Sequence, residues 1–370
     1  MRILEIIPQL QTGGAESFTI NLCNEFAEHG HEVILVVTNS LKKYGQLQGN
    51  LDKRVRLIGL DKKQGFDILL FFRLTKLISK IKPDVVHTHL GAVVYTILSP
   101  ILNRSPKYFH TVHNAAEKEA TTGGRISVWA RKIQFNLHLV TPITISLESQ
   151  KSFANYYGDK TKSELIWNGV SKIAINKNTA TDEMSEGDIK LINVARLQPQ
   201  KNQLELVKSI DSLNRSDKID KTVQLYIIGD GDPRIAEEIR DFNSPYTTIL
   251  GRKDNPRDYV ACADAFILSS HYEGLPLTLI ECFATGKIPI CTPVGGIVDL
   301  VRDNENGILT TGTSQDHIID AICRFVSLTP DEKRAMESAS RTSYNSLTMD
   351  KCAQHYIELF NKQLDGIKPV

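Results

Sequence analysis

At 370 residues the chain is longer than one hydrophobic core comfortably serves, so two domains are the default expectation. Its 41% hydrophobic and 24% charged residues fit a soluble globular protein, and the opening MRILEIIPQL lacks a signal-peptide apolar run and a small-residue cleavage site. Net charge is +1, but residues 1–170 carry +7 (21 Lys and Arg against 14 Asp and Glu) and the remainder −6, so the two halves face different surroundings.

In chain order, RILEII reads as a first strand and QTGGAES as the turn that follows it. Gly13 and Gly14 bring bare backbone amides to the positive end of the next helix, ESFTINLCNEFAEHG, which suits an anion or a closely approaching sugar; a tight turn needing glycine is the plainer alternative. The spacing is not G-x-G-x-x-G and no acidic residue closes the next strand, so a dinucleotide enzyme is disfavoured. EVILVV and RVRLIG are strands, FDILLFFRLTKLISKI is a helix, and DVVHTH, KYFHTV and PITIS complete the first strand set. The apolar run Gly91 to Leu102 is too short to span a bilayer and contains Pro100. His87 and His89 share a strand face, with His110 and His113 on the next strand. No Cys or carboxylate sits at ligand spacing around them, so hydrogen bonding to a polar ligand is expected rather than a metal site. Strands this continuously apolar, alternating with helices, indicate a parallel sheet covered on both faces.

Residues 171–188 turn polar and lose periodicity, as a linker would. The alternation then restarts with KLINVA, VQLYIIG, YTTILG, DAFILSS and KIPICT as strands and helices starting near Asn202, Pro233, Asn255 and Pro276. The expected architecture is α/β: two tandem doubly wound, Rossmann-like domains, each offering ligands the carboxyl ends of its strands. The boundaries are 1–170 for the first domain, 171–188 for the linker and 189–346 for the second, with 347–370 returning as a C-terminal helix. In VARLQPQKN, Arg196 ends a strand and Lys201 opens a helix, a cation pair matched to a polyphosphate. GDGD, residues 229–232, reads as a turn and helix start rather than a cation site. The six cysteines have no C-x-x-C pair and read as reduced core filler.

HYEGLPLTLIEC places Glu273 and Glu281 around a helix start. With Pro276 as first helical residue, the amides of Leu277 and Thr278 point outward with the helix dipole. Glycosidase carboxylates must flank one bond, which two residues astride a helix start do badly; a phosphate cradle with two sugar-hydroxyl acceptors fits better.

Together these stretches resemble a known family. The E-x7-E pattern with Gly274 after the first Glu, the Arg/Lys pair, the N-terminal Gly-Gly and the D-V-V-H-x-H strand look like a GT-B glycosyltransferase, more narrowly the retaining family four of nucleotide-sugar transferases. The likeness is strongest from Ile189 to Val301. It implies two domains facing a central cleft, with the acceptor on the first and the donor on the second. Glu281 would accept from the nucleotide ribose. Glu273 and the backbone of Gly274, Leu275, Pro276 and Leu277, with Thr278, would meet the donor sugar and its phosphate. Arg196 and Lys201 would neutralise the diphosphate, Gly13 and Gly14 would line the cleft, and His113 would contact the donor sugar. Where many relatives have Gly after the lysine this chain has Asn202, and where they have Asp after N-G-V it has Ser171.

The activity so implied is transfer of a hexose or N-acetylhexosamine from a UDP-sugar, or next a GDP-sugar, to a saccharide or lipid-linked glycan, with no metal or other cofactor and no nucleic-acid partner. Surface polysaccharide synthesis in the cytoplasm is the expected setting. A nucleotide-sugar epimerase of the same fold and a non-catalytic nucleotide-sugar-binding protein are the alternatives. Family acceptors are often lipid-linked, which turns attention to RISVWARKIQFNLHL. There Ile126, Trp129, Ala130, Ile133 and Leu137 form a stripe expected to pack on the sheet. Val128 and Phe135, flanked by Arg125, Arg131, Lys132 and His138, would then face solvent and could touch an anionic membrane peripherally. A buried helix with a solvated basic edge is the competing reading.

Overall fold

The computed structural model describes residues 1–172, 175–176, 183–184 and 186–366. The chain divides into two units, Met1–Ser171 joined by the segment from Leu347, and Lys172–Ser346. The linker expected over 171–188 lies partly outside the described residues. From Lys172 on, where it is described, it belongs to the second unit: Met184 is buried and Glu183 pairs with Lys253 and Tyr259.

The first unit is built on one parallel sheet. Its strands are β1 (Arg2–Ile7), β2 (Glu32–Val37), β3 (Arg56–Gly59), β4 (Val85–His89), β5 (Lys107–Val112), β6 (Thr141–Thr144) and β7 (Glu164–Leu165), in the order β3-β2-β1-β4-β5-β6-β7. Every residue of β1 beyond Arg2 is buried, as a strand covered on both faces requires. The second unit repeats the plan with β8 (Ile189–Val194), β9 (Val223–Ile228), β10 (Thr247–Gly251), β11 (Ala265–Leu268), β12 (Ile288–Cys291) and β13 (Ile308–Leu309), ordered β10-β9-β8-β11-β12-β13. In both sheets the strand order reverses beside the first strand, leaving a switch point at the strands' carboxyl ends. β7 and β13 are two residues long, too short to leave a periodic signal.

The last helix, Met349–Asp365, belongs to the first unit. Thr348 caps it by accepting from the Lys351 amide, and Met349, Cys352, Ala353, Tyr356, Leu359 and Phe360 recur at helical spacing on its buried face. Tyr356 and Phe360 pack against Phe26 of the helix Gly14–Glu28, and Phe360 also stacks on Phe109 of β5.

The helix Gly124–Asn136 is rotated about its axis from its expected orientation: Ala130 is buried and Lys132 exposed as expected, but the buried face is Ser127, Ala130, Arg131, Gln134 and Phe135. Arg131 and Phe135 are fully buried, whereas Ile126, Trp129 and Leu137 are exposed. The cause is a buried charge. The Arg131 guanidinium donates to Glu119 Oε1 at 2.9 Å and to the Leu90 carbonyl at 2.7 Å, and its Nη1 lies 2.8 Å from His110 Nε2. A buried cation must be paired, and this pairing decides which of two apolar arcs faces the sheet.

Candidate functional site

The loop after β11 and the turn after β8 form one constellation within the second unit. Ser269 donates to the carbonyls of Lys201 and Asn202, the His271 amide donates to the Gln200 carbonyl at 2.8 Å, and Gln200 donates to the Tyr272 carbonyl at 2.7 Å. The two loops are thereby sewn together through backbone groups. Lys201 lies in a short turn, Pro199–Lys201, ahead of the helix Gln203–Asn214 rather than inside it. Asn202 between them has φ of 57°, the left-handed region that favours Gly and tolerates Asn. This explains the departure at that position: the backbone demands a residue at ease with positive φ, and Asn meets the demand while its side chain donates to the Thr313 carbonyl.

Glu273 is buried, and its Oε1 accepts from Lys201 Nζ at 2.5 Å and from Ser270 Oγ at 2.6 Å. Its Oε2 has no partner among the described residues. The loop that carries it is held by Gly295, where φ is +54° and an added Cβ would come 2.0 Å from the Glu273 carbonyl oxygen. Only glycine fits that approach.

Pro276 is the cap of the following helix rather than its first residue; its backbone is extended and the helix runs Leu277–Thr285. The amides of Leu277 and Thr278 still fall in the unpaired first turn, so the positive end faces outward as expected. Glu281 lies on the helix's second turn, and its Oε1 accepts from Arg257 Nη2 at 3.1 Å. Burial raises the Glu281 carboxyl, and Arg257 opposes the rise. The second oxygen of Glu281 again has no partner among the described residues. Gly274 and Leu275 complete the loop, the Gly274 carbonyl accepting from the Gly296 amide at 2.6 Å.

Arg196 is half-buried at the end of β8. Gln203 clamps its carbonyl at 2.7 Å, while its guanidinium makes no hydrogen bond or ion pair among the described residues. The second unit therefore gathers Arg196, Lys201, Glu273, Glu281 and the first turn of one helix. The sequence reading missed Arg257, Ser270 and Gln203. Arg257 looks like any surface Arg of an amphipathic helix until the fold sets it beside Glu281. GDGD is a turn and helix start: the Asp232 side chain accepts from the Arg234 amide and Pro233 opens the helix.

In the first unit, Gly13 caps the helix Gly14–Glu28 in extended conformation, and a Cβ at Gly14 would meet nothing within 4 Å. Neither glycine is needed for a left-handed turn, and the space beside Gly14 is open. The expectation that the strand histidines meet a ligand fails for three of the four. His87, His89 and His110 are fully buried and used internally. Glu5 Oε1 lies 3.0 Å from His87 Nδ1 and its Oε2 lies 2.8 Å from His89 Nε2. His87 Nε2 lies 2.8 Å from the Thr111 hydroxyl, which lies 2.8 Å from the Tyr356 hydroxyl, and His110 pairs with Glu119 at 3.1 Å. Glu5, His87 and His89 are close enough to hold a metal ion, but each of those ligand atoms already serves a hydrogen bond. His113, past the end of β5, is half-buried, and its Nε2 lies 2.9 Å from His89 Nδ1.

Residues 175–342 match the family model described as glycosyl transferases group 1, and residues 12–172 match that of glycosyltransferase family 4. An Escherichia coli UDP-Gal:alpha-D-GlcNAc-diphosphoundecaprenol alpha-1,3-galactosyltransferase is 27% identical over 278 residues, covering 70% of each chain. A Campylobacter jejuni alpha-1,4-N-acetyl-D-galactosaminyltransferase, acting on an undecaprenol-diphosphate-linked glycan, is 24% identical over 84% of each chain. Among solved structures, Anabaena HepE in complex with UDP and glucose superposes with a TM-score of 0.80 at 16% identity, over 98% of this chain and all of that one.

Proposed function

Because the chain belongs to the family-four glycosyltransferases of group 1, we propose that it moves a hexose or N-acetylhexosamine from a UDP-sugar to a lipid-linked glycan, with retention of anomeric configuration. The observation that carries the donor reading is the shared state of the two carboxylates. Glu273 and Glu281 each bind an internal cation with one oxygen and keep the other unpartnered among the described residues. A carboxylate so held is already oriented, with an oxygen ready to accept from sugar or ribose hydroxyls. Arg196, Lys201 and the first-turn amides at Leu277 and Thr278 supply positive charge for a departing diphosphate, so no metal is invoked. In this mechanism the bond from the anomeric carbon to the diphosphate breaks. The acceptor oxygen bonds to that carbon from the same face, and its proton passes to the departing phosphate oxygen.

A thermal-shift comparison of UDP-, GDP- and ADP-sugars tests the donor, with UDP-sugars expected to stabilise most. Proton NMR of the product checks retention; inversion would refute the mechanism. Activity is expected to survive exhaustive chelation, and loss restored by Mg²⁺ would assign the diphosphate charge to a metal instead. An epimerase would convert UDP-GlcNAc alone to its 2-epimer, a product not expected here.

The reading of a membrane-bound acceptor rests on the surface of the first unit. Phe66, Ile68, Leu69 and Phe72 at the start of the helix Ile68–Ile81, Leu102 on the short helix beside it, and Trp129 on Gly124–Asn136 are all more than half exposed. Lys63, Arg73, Lys76, Arg104, Arg125 and Lys132, near them in sequence, are exposed as well. Apolar side chains interleaved with cations fit an anionic leaflet. Among the described residues no helix is long and apolar enough to cross a membrane. Flotation with anionic vesicles at low salt is expected to capture the protein, and a Phe72→Ser/Trp129→Ser/Lys132→Glu variant is expected to stay behind. Indifference of the native protein to such vesicles would remove this part of the reading.

A further inference from the structure

We propose that Glu5 and His89 are positioning residues that hold the His113 ring with its proton on Nε2, so that Nδ1 is left as a hydrogen-bond acceptor for a ligand hydroxyl. The role of the ligand rests on the glycosyltransferase reading; the relay does not.

The direction of the chain follows from counting protons. Glu5 is fully buried at the centre of the sheet and takes both its hydrogen bonds from rings, His87 Nδ1 at 3.0 Å and His89 Nε2 at 2.8 Å. An ionised carboxylate only accepts, so His89 must carry its proton on Nε2. In a neutral ring the other nitrogen is then a lone pair, and His89 Nδ1 can only accept. Its partner at 2.9 Å is His113 Nε2, which must therefore donate. His113 Nδ1 is left bare, with no hydrogen-bond partner among the described residues. Phe18 packs edge-on against the His113 ring, and the His113 amide donates to Glu119 Oε2 at 2.6 Å, so ring and backbone are both fixed.

The electrostatics agree with this protonation pattern. Burial alone would raise the Glu5 carboxyl, but the His87 and His89 rings outweigh it and hold the group at about 2. Burial, with His87 adding to it, brings His89 down to about 4; burial and the neighbouring His89 hold His113 well below the usual imidazole value.

The test uses the full chain with ¹⁵N-labelled histidine and no substrate. A slowly exchanging His113 ring proton correlated to Nε2 is expected near neutral pH, with Nδ1 unprotonated. A proton on Nδ1, or on both nitrogens, overturns the proposal. His89→Leu should lose the protected proton, whereas His89→Gln, whose amide can donate to Glu5 and accept from His113, should keep it. A protected proton in His89→Leu also overturns the relay. So does zinc binding to the unmodified protein with release of the ring protons, which would make Glu5, His87 and His89 a metal site. If the ligand is a sugar, His89→Leu lowers kcat/KM about fivefold to tenfold, the worth of one hydrogen bond, and His89→Gln restores most of it. The expected ring proton in a protein inactive on every nucleotide sugar would fault the functional reading and leave the relay standing.

Discussion

At the scale of single residues, the second unit pairs each of Glu273 and Glu281 with an internal cation. Removing Glu281 strips two hydrogen-bond sites from a charged acceptor, and hydrogen bonds to charged groups contribute about 1.5–3 kcal/mol each. Glu281→Ala is therefore expected to weaken donor binding by at least tenfold in calorimetry, and unchanged affinity would release Glu281 from its assigned role. Arg257→Ala should weaken the donor as well and also destabilise the fold, because it leaves a largely buried carboxylate without its cation. Asn202 offers a cleaner backbone test. Asn202→Gly should leave the melting temperature nearly unchanged, while Asn202→Val should cost roughly 1–2 kcal/mol for forcing a β-branched residue to positive φ. Equal melting temperatures for the two would show that the left-handed conformation is not maintained. The places of Glu273, Glu281, Arg196 and Lys201 at strand ends and helix starts were legible because the strand and helix patterns around them are strong. Arg257 and Glu5 were not, since each acquires its role from a contact between segments distant in sequence: Arg257 is 24 residues from Glu281 and Glu5 is 84 from His89.

At the scale of elements, the helix Gly124–Asn136 shows how periodicity can be right about the element and wrong about its face. Trp129 and Ile126 are as apolar as Phe135, so hydrophobicity alone could not choose between the two arcs; pairing of Arg131 with Glu119 did. Arg131→Glu should unfold the first unit or lower its stability by about 3–5 kcal/mol, because it faces Glu119 with a second buried anion. Lys132→Glu on the exposed side should be nearly neutral for stability. Near-equal effects of the two, read by thermal melts, would contradict the assigned faces. The C-terminal helix was legible as an element within 347–370, and it runs Met349–Asp365. Phe360→Ala removes a fully buried ring between Phe26 and Phe109 and should cost about 3–5 kcal/mol.

For the whole molecule, the buried charge network should make the first unit sensitive to acid. His89 and His110 are each lowered to about 4, burial being the main cause in both, so the unfolded chain takes up protons first as pH falls. Their neutral forms stabilise the fold fully above about 6.5, and that contribution is lost between about 6.5 and 4. Glu5, lowered to about 2, contributes above its unfolded value and loses that contribution as pH falls from about 4.5 towards 2. Both effects destabilise on acidification. Trp129 and Trp167 both lie in the first unit, so tryptophan fluorescence reports it selectively. The midpoint of its thermal transition should drop steadily from pH 6.5 to pH 4; a flat midpoint would show that these rings are not held neutral. The alternation of strands and helices and the doubly wound class followed from the sequence alone, because parallel strands buried on both faces need near-continuous apolar runs that local pattern reveals. The loops bearing Glu273, Glu281, Arg196 and Lys201 could be placed at strand ends for the same reason. What tertiary structure decided was pairing: Lys201 with Glu273, Arg257 with Glu281, Arg131 with Glu119, and Glu5 with two histidines. A buried charge must find a partner wherever the fold provides one, and that partner lies at no fixed distance along the chain.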